Sequence, residues 1–327
     1  MKRMMIFLLL LAAALVLSSC QAVITPGSLA VCTMAPDTNP VTPLANASET
    51  LRTDETVTLY FRYMDEPYLA AEHRALSQLP TQSWEHVLIS ALISGPETRS
   101  NRLSGLFPEG TRLISAEHDG RTLHVTLSGE IMNGYPDEPA GWHADPYWSQ
   151  EVPRRRALCM QSLAAAVMEN SDIDRIQVFV QQGDGSGMST RLPLAYFKLD
   201  DSDAPAPMLT RDGSMLLTPE NTMHAILTAW MQCDWATLYC YLSDADVQGG
   251  AVDVRAFTAM MEALPRITSF EHSSGSMSAD GSTFTFSLTA SLLDNRTTRS
   301  EQGVIRLHRS EGLWVVTITQ LTGWLEE

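Results

Sequence analysis

Apolar positions change regime four times along the chain. Met4 to Leu17 form an almost unbroken apolar run behind Lys2 and Arg3, closed by Leu17-Ser18-Ser19-Cys20. Residues 21–54 are rich in Pro, Ser, Thr, Ala and Asn and show no sustained period, the pattern of a tether. Order begins at Val57-Thr58-Leu59-Tyr60-Phe61-Arg62-Tyr63, whose β-branched and aromatic residues predict a strand, with a second over 69–79. Ser83 reads as the N-cap of a helix carrying Val87, Leu88, Ala91 and Leu92 on one side, and Gly95-Pro96 stops it. Extended runs over 111–118 and 121–127 flank Asp119-Gly120, a hairpin signal. In the second run Leu123, Val125 and Leu127 alternate with Thr122, His124 and Thr126, which predicts one buried and one solvated face. Pro153 is expected to open a helix to about Met168, almost wholly apolar or small after residue 157. Strands are expected over 174–180 and 190–197.

Asp200, Asp201, Asp203, Pro205 and Pro207 give residues 200–217 the character of a linker. Thr218-Pro219-Glu220 then supplies an N-cap, a proline at the first helical position and an acid in the first turn. Met223, Ile226, Leu227, Trp230 and Met231 recur at helical spacing, and the pattern continues through Trp235, Leu238, Tyr239 and Leu242. A shorter helix fits 253–263, followed by strand-like runs near 267–275, 282–292, 299–309 and 313–321. Helices followed by strands imply an antiparallel sheet covered on one face. The expected fold class is α+β, with two α/β sandwich-type domains, the second made of helices packed on a curved antiparallel sheet. The expected division is a signal peptide over 1–19, a tether over 20–54, a domain over 55–199, a linker over 200–217 and a domain over 218–327.

The N-terminal run changes the picture most. Positive charge, then apolarity, then small residues describe a secretory signal, and the cysteine makes Leu17-Ser18-Ser19-Cys20 a bacterial lipobox. Cys20 is therefore the expected lipidation site and mature N-terminus, with palmitate among the attached chains. The fourteen residues from Met4 to Leu17 would span about 21 Å as a helix, short of about 30 Å of hydrocarbon. The expected location is the extracytoplasmic face of the cell membrane, lipid-anchored.

The formal charge is −16 and becomes two units more negative once Lys2 and Arg3 leave with the signal. So acidic a chain is not expected to bind nucleic acid or a bare anionic bilayer through its net field. Lys198 is then the sole lysine, which argues against a lysine nucleophile. Cys32, Cys159, Cys233 and Cys240 form no disulfide framework. Cys233 and Cys240, seven apart on an expected helix, would lie about 10 Å from one another and read as buried apolar residues. No spacing suits a metal, and no cofactor is implied.

Val57–Tyr63, the helix ending Leu92-Ile93-Ser94-Gly95-Pro96, the turn Leu106-Phe107-Pro108-Glu109-Gly110-Thr111, the hairpin at Asp119-Gly120 and the strand Ile176-Gln177-Val178-Phe179-Val180 come in a telling order. On these pieces residues 57–197 resemble the GerMN domain of spore-germination and sporulation lipoproteins. The resemblance implies an α/β fold on an envelope lipoprotein and carries over no catalytic residue. The aromatic segment 135–148 has no counterpart in that pattern. Residues 218–325 resemble, by element order alone, an NTF2-like or cystatin-like domain.

Tyr135, Trp142, His143, Tyr147 and Trp148 cluster in one long segment with Asp137, Glu138 and Asp145. Long irregular segments are often functional. The rings could stack on sugars or a partner protein, or fold back into a satellite core. Arg154, Arg155 and Arg156 follow Pro153, where positive charge would oppose the helix dipole. Glu151 and the acidic loop could compensate, as could an anionic wall polymer. Tyr135, Trp142, Tyr147, Trp148 and the three arginines make the candidate interaction surface. In the second domain Asp234, Tyr239, Tyr241 and His272 could line a cavity. His73 and His86 could approach Glu72 and Glu85. Asp184-Gly185-Ser186-Gly187 reads as a plain turn.

The expected function is that of a non-enzymatic envelope lipoprotein. It would present interaction modules to cell-wall or sporulation and germination machinery, its partner an envelope protein or a wall polymer. The alternatives are a small-molecule or glycan-binding lipoprotein using a cavity in the second domain, and a cell-wall hydrolase.

Overall fold

β-Branched and aromatic residues hold the first strand, β1 (Thr53–Tyr63), in an antiparallel hairpin with β2 (Leu69–Gln78). The computed structural model describes residues 53–97, 102–183, 187–199, 201–247, 252–294, 297–310 and 312–325. The signal, lipobox, Cys20 and most of the tether lie outside the described residues, as do Asp184, Gly185 and Ser186.

Ser83 caps α1 (Trp84–Ile93), its hydroxyl accepting from His86 N at 3.2 Å, and the chain leaves at Gly95 with φ +86°. β3 (Leu103–Ser104) adds to the other side of β1, giving the order β2-β1-β3. β4 (Leu113–Asp119) and β5 (Thr122–Leu127) form the expected hairpin, with Gly120 at φ +60°. β5 buries Leu123, Val125 and Leu127.

The long helix α2 (Trp148–Asn170) begins five residues before Pro153. Asp145 ties down its start, Oδ1 accepting from Tyr147 N (2.8 Å) and Trp148 N (3.1 Å). Pro153 sits inside the helix, so the arginines lie in its second turn and Glu151 lies in its first. The expected clash between Arg154–Arg156 and the helix dipole does not arise, because that effect is confined to the first turn. α2 carries the chain from β5 to the parallel strand β6 (Arg175–Gln181), a β-α-β crossover. β7 (Ser189–Arg191) completes the sheet β4-β5-β6-β7. The strand expected over 190–197 stops there and gives way to a 3-10 turn at Leu194–Phe197.

The stretch read as a linker lies down as a strap. Pro205 bridges Pro193, Leu209 bridges Ile176 and Leu216 bridges Leu69, while Ala206, Leu209, Leu216 and Leu217 are buried. α3 (Pro219–Gln232) starts at Thr218, whose side chain accepts from Asn221 N. It ends at Cys233, which adopts φ +58°, and Asp234 caps a new helix, α4 (Trp235–Cys240). The single helix expected through Leu242 is thus two. Cys233 is exposed and Cys240 half-buried, in place of the buried pair expected.

α5 (Asp244–Val247) and α6 (Val254–Glu262) follow, then β8 (Arg266–His272), β9 (Ser276–Met277), β10 (Thr283–Asp294), β11 (Thr297–Ser310) and β12 (Leu313–Val315). The antiparallel order is β12-β11-β10-β8, with β9 on β10. The last expected strand is cut at Val315, and Thr317 caps a short helix, α7 (Ile318–Thr322). Trp230, Phe257, Phe286, Leu288, Ile305 and Trp324 fill the interior against this sheet. The fold class is α+β, as the hydrophobic pattern predicts.

Residues of both halves join one buried cluster. Tyr63 donates to Cys240 O at 2.6 Å and packs against Tyr241 with the rings tilted and their centroids 5.5 Å apart. Arg102 reaches Leu242 O (3.0 Å) and Asp244 Oδ1 (2.9 Å), and Arg309 reaches His73 at 2.7 Å.

Candidate functional site

Glu151 is the centre of the site because one buried carboxylate serves three arginines. It is 1% exposed. Its Oε1 accepts from Arg62 Nη1 at 2.5 Å and Arg155 Nε at 2.7 Å, and its Oε2 lies 3.5 Å from Arg154 Nη1. Arg62 also donates to the carbonyls of Asp65 (2.6 Å) and Glu66 (3.2 Å), so the turn after β1 is locked to the same charge cluster. Buried charges persist only when paired and hydrogen-bonded. Here they are both.

Arg155 lies between the Tyr135 ring (5.5 Å) and the Trp148 ring (5.3 Å), and bonds Asp137 at 2.7 Å. Arg156 lies between Tyr135 (5.2 Å) and Tyr196 (5.0 Å). It donates to Ile131 O at 2.7 Å and to Asn133 O. Rings and guanidiniums thus form a chain of contacts from Trp148 through Arg155, Tyr135 and Arg156 to Tyr196, each cation within reach of two ring quadrupoles. Tyr135 donates to Leu106 O at 2.9 Å, pinning the aromatic loop to the Leu106–Thr111 turn. Burial pushes the Tyr135 and Tyr196 hydroxyls above the usual tyrosine range. It pushes the Cys159 thiol up to about 12.

Beside this ladder is a cleft of about 390 Å³. The largely covered Arg62 and Arg155 form its floor, and Ser104, Leu106, Phe107 and Tyr135 also line it. Asp65, Glu109 and Asp137 stand exposed around it.

Residues 58–180, which hold the floor and most of the ladder, match the family model Germane, described as sporulation and spore germination. That stretch of the chain is similar to a Germane domain. Among solved structures it is similar to the tandem GerMN domains of the sporulation protein GerM from Bacillus subtilis. That match has 12% identity and a TM-score of 0.34, covering 84% of this chain and 66% of that one. A candidate lipoprotein from Clostridium perfringens matches at 18% identity and TM-score 0.26, over 48% of this chain and 87% of that one. A SEC-C motif containing protein from Rhodopseudomonas palustris matches at 17% identity and TM-score 0.27, over 31% and 76%. No curated protein matches the chain.

The Germane-like region gathers most of the residues singled out from sequence, but not as one surface. Trp142 is 7% exposed, stacked on His143 at 3.6 Å in a turn against α2. Arg156 is fully buried. Neither can be presented to a partner. The folded-back loop supplies rings that cover Arg155 and Arg156, the Asp137 carboxylate that pairs Arg155, and the Asn133 carbonyl that accepts from Arg156. Tyr135, Trp148 and Arg155 are partly covered, Arg154 is 40% exposed and Tyr147 is 54% exposed. Arg62, Asp65 and Phe107 belong to the cleft and were missed. A lone arginine in the otherwise apolar run Leu59–Tyr63 was the signal that could have found the first.

The other candidates do not converge. Asp234 caps α4, Tyr239 donates to Val252 O at 3.0 Å, Tyr241 is buried beside Tyr63, and His272 contacts Ser273 O. Glu72 is taken by Arg74 at 2.5 Å, and His73 turns instead to Thr58 and Arg309. No group of three or more metal-ligating side chains occurs among the described residues, and no described helix is long and apolar enough to cross a membrane.

Proposed function

We propose that the protein is a non-enzymatic envelope lipoprotein of sporulation or germination, held at the extracytoplasmic membrane face through Cys20. In this reading its Germane domain receives a protein partner in the cleft between the Leu106–Thr111 turn and the aromatic loop. The observation that carries the reading is the charge arrangement there. Glu151 and Asp137 already balance the floor arginines, while Asp65 and Glu109 stand exposed at the rim. Such a rim favours a basic side chain whose stem lies along Leu106 and Phe107. It disfavours an anionic wall polymer, since a like charge would face it. The non-enzymatic reading is supported by Cys159, whose buried thiol is pushed away from the thiolate a nucleophile needs.

A photo-crosslinking residue at exposed Pro136, in the full-length protein in intact cells, tests the cleft. A discrete adduct should form and should weaken when Asp65 and Glu109 are reversed to lysine. An adduct indifferent to that reversal, or no adduct, removes the cleft from the function. Separately, Cys20→Ala should release the protein from washed membranes; retention with an unchanged mature N-terminus refutes the anchor.

A further inference from the structure

β11 pairs with β10 along nearly its whole length but with β12 over only three residues. Arg309 N donates to Ser282 O at 2.8 Å on the β10 side. Backbone groups alternate sides along a strand, so the odd-numbered residues of β11 serve β10 and the even-numbered ones face away. β12 covers only His308–Ser310 on that side. Among the described residues nothing hydrogen-bonds the outward N–H and C=O groups of Thr298, Ser300, Gln302 and Val304, and all four residues are exposed. Residues 297–307 hold no proline or lysine, two common guards of an open edge.

The sequence along this edge also says what fits it. Thr298-Arg299-Ser300-Glu301-Gln302 is antisymmetric in charge about Ser300. An antiparallel copy with its two-fold axis at Ser300 places Arg299 opposite the second copy's Glu301, twice, and Thr298 opposite Gln302. Strand pairing allows shifts of two residues. The shift either way puts Arg299 against Arg299 or Glu301 against Glu301, and like charges directly opposite are unfavourable. Within one chain Arg299 Nε and Glu301 Oε1 lie 3.3 Å apart and are 48% and 35% exposed, so both remain within reach of a neighbour.

We infer that β11 is a homodimerisation edge, on which residues 297–303 of two copies pair antiparallel about Ser300 into one continuous sheet. This goes beyond the partner cleft and is independent of it.

Cysteine trapping in the full-length protein, in membranes and in a Cys233→Ser background, tests it. Directly opposite residues in a hydrogen-bonded antiparallel pair have Cα atoms about 5.5 Å apart, within disulfide range. Under mild oxidation Ser300→Cys should give a covalent dimer several-fold above the Cys233→Ser parent. Gln302→Cys, facing Thr298, should not. A Ser300→Cys protein that traps no better than its parent, or no better than Gln302→Cys, overturns the proposal. Adding Gln302→Pro to Ser300→Cys should abolish trapping with little change in melting, because that N–H serves no ladder bond. Undiminished trapping again overturns it. If this proline variant melts early, Arg299→Glu replaces it: trapping should fall, and return with Arg299→Glu plus Glu301→Arg. Failure to return counts against the pairing.

Discussion

The aromatic loop over 129–147 and the β10–β11 hairpin exchange the roles their compositions suggest. The loop has the rings and charges of a binding surface, and it is mostly internal. The hairpin has the plain alternation of a packed sheet, and it leaves backbone groups open. The difference lies in what each must satisfy. Arg62, Arg155 and Arg156 are held inside by β1 and α2, so nearby carboxylates, carbonyls and rings are drawn in to pair them. β11 extends past β12, and nothing within the described residues supplies its outer ladder.

Removing the shared carboxylate should break this contrast most severely. Glu151→Ala leaves Arg62 buried without its counter-charge, and such losses cost about 3–5 kcal/mol. Urea unfolding should show it as a lower midpoint. Asp137→Asn touches Arg155 only from an exposed position and should cost less than about 1 kcal/mol. Equal effects would mean that Glu151 is no centre.

Trp142→Ala comes next, at about 3–5 kcal/mol for a buried ring, while Tyr147→Ala should stay within about 0.5 kcal/mol. If both melt alike near the wild type, the loop is a surface after all. On the hairpin side the sensitive point is Gly303. A Cβ there would sit 2.5 Å from Trp324 Cβ, an atom fixed to its own backbone. Gly303→Ala should cost about 1–3 kcal/mol by overpacking, readable in the same titration.

Local signals carried the sequence reading where neighbours in the chain decide the outcome. Ser83, Asp119-Gly120, Thr218-Pro219 and the alternation of β5 each name their own element. Glu151 as a counter-charge for the arginines was also within local reach. Arg62 was not, because its partner lies 89 residues away. The break at Cys233 was hidden because a non-glycine residue takes positive φ there, which periodicity does not report. Trp142 and Arg156 were misplaced for the same reason as Arg62. Whether a ring faces water or a guanidinium depends on β1, α2 and the Leu194–Phe197 turn meeting in space.

The smallest expected effect sits where the hairpin touches the first half of the molecule, at His73 on β2 and Arg309 on β11. Arg309 can only donate, so His73 Nε2 accepts at 2.7 Å and Nδ1–H faces Thr58 Oγ1 at 3.2 Å. This arrangement favours the neutral ring. Burial, then the Arg309 charge, lower its pKa from 6.5, with Glu169 opposing. A base whose folded pKa is depressed takes up more protons when unfolded, so stability rises with pH across that window. The contact should contribute fully above pH 6.5 and be lost as pH falls through that value toward the folded pKa. Melting temperature should accordingly decline on acidification, and His73→Gln should flatten that part of the profile while keeping an acceptor for Arg309. An unchanged slope in His73→Gln would show that the hairpin and the first half of the molecule are not coupled through this pair.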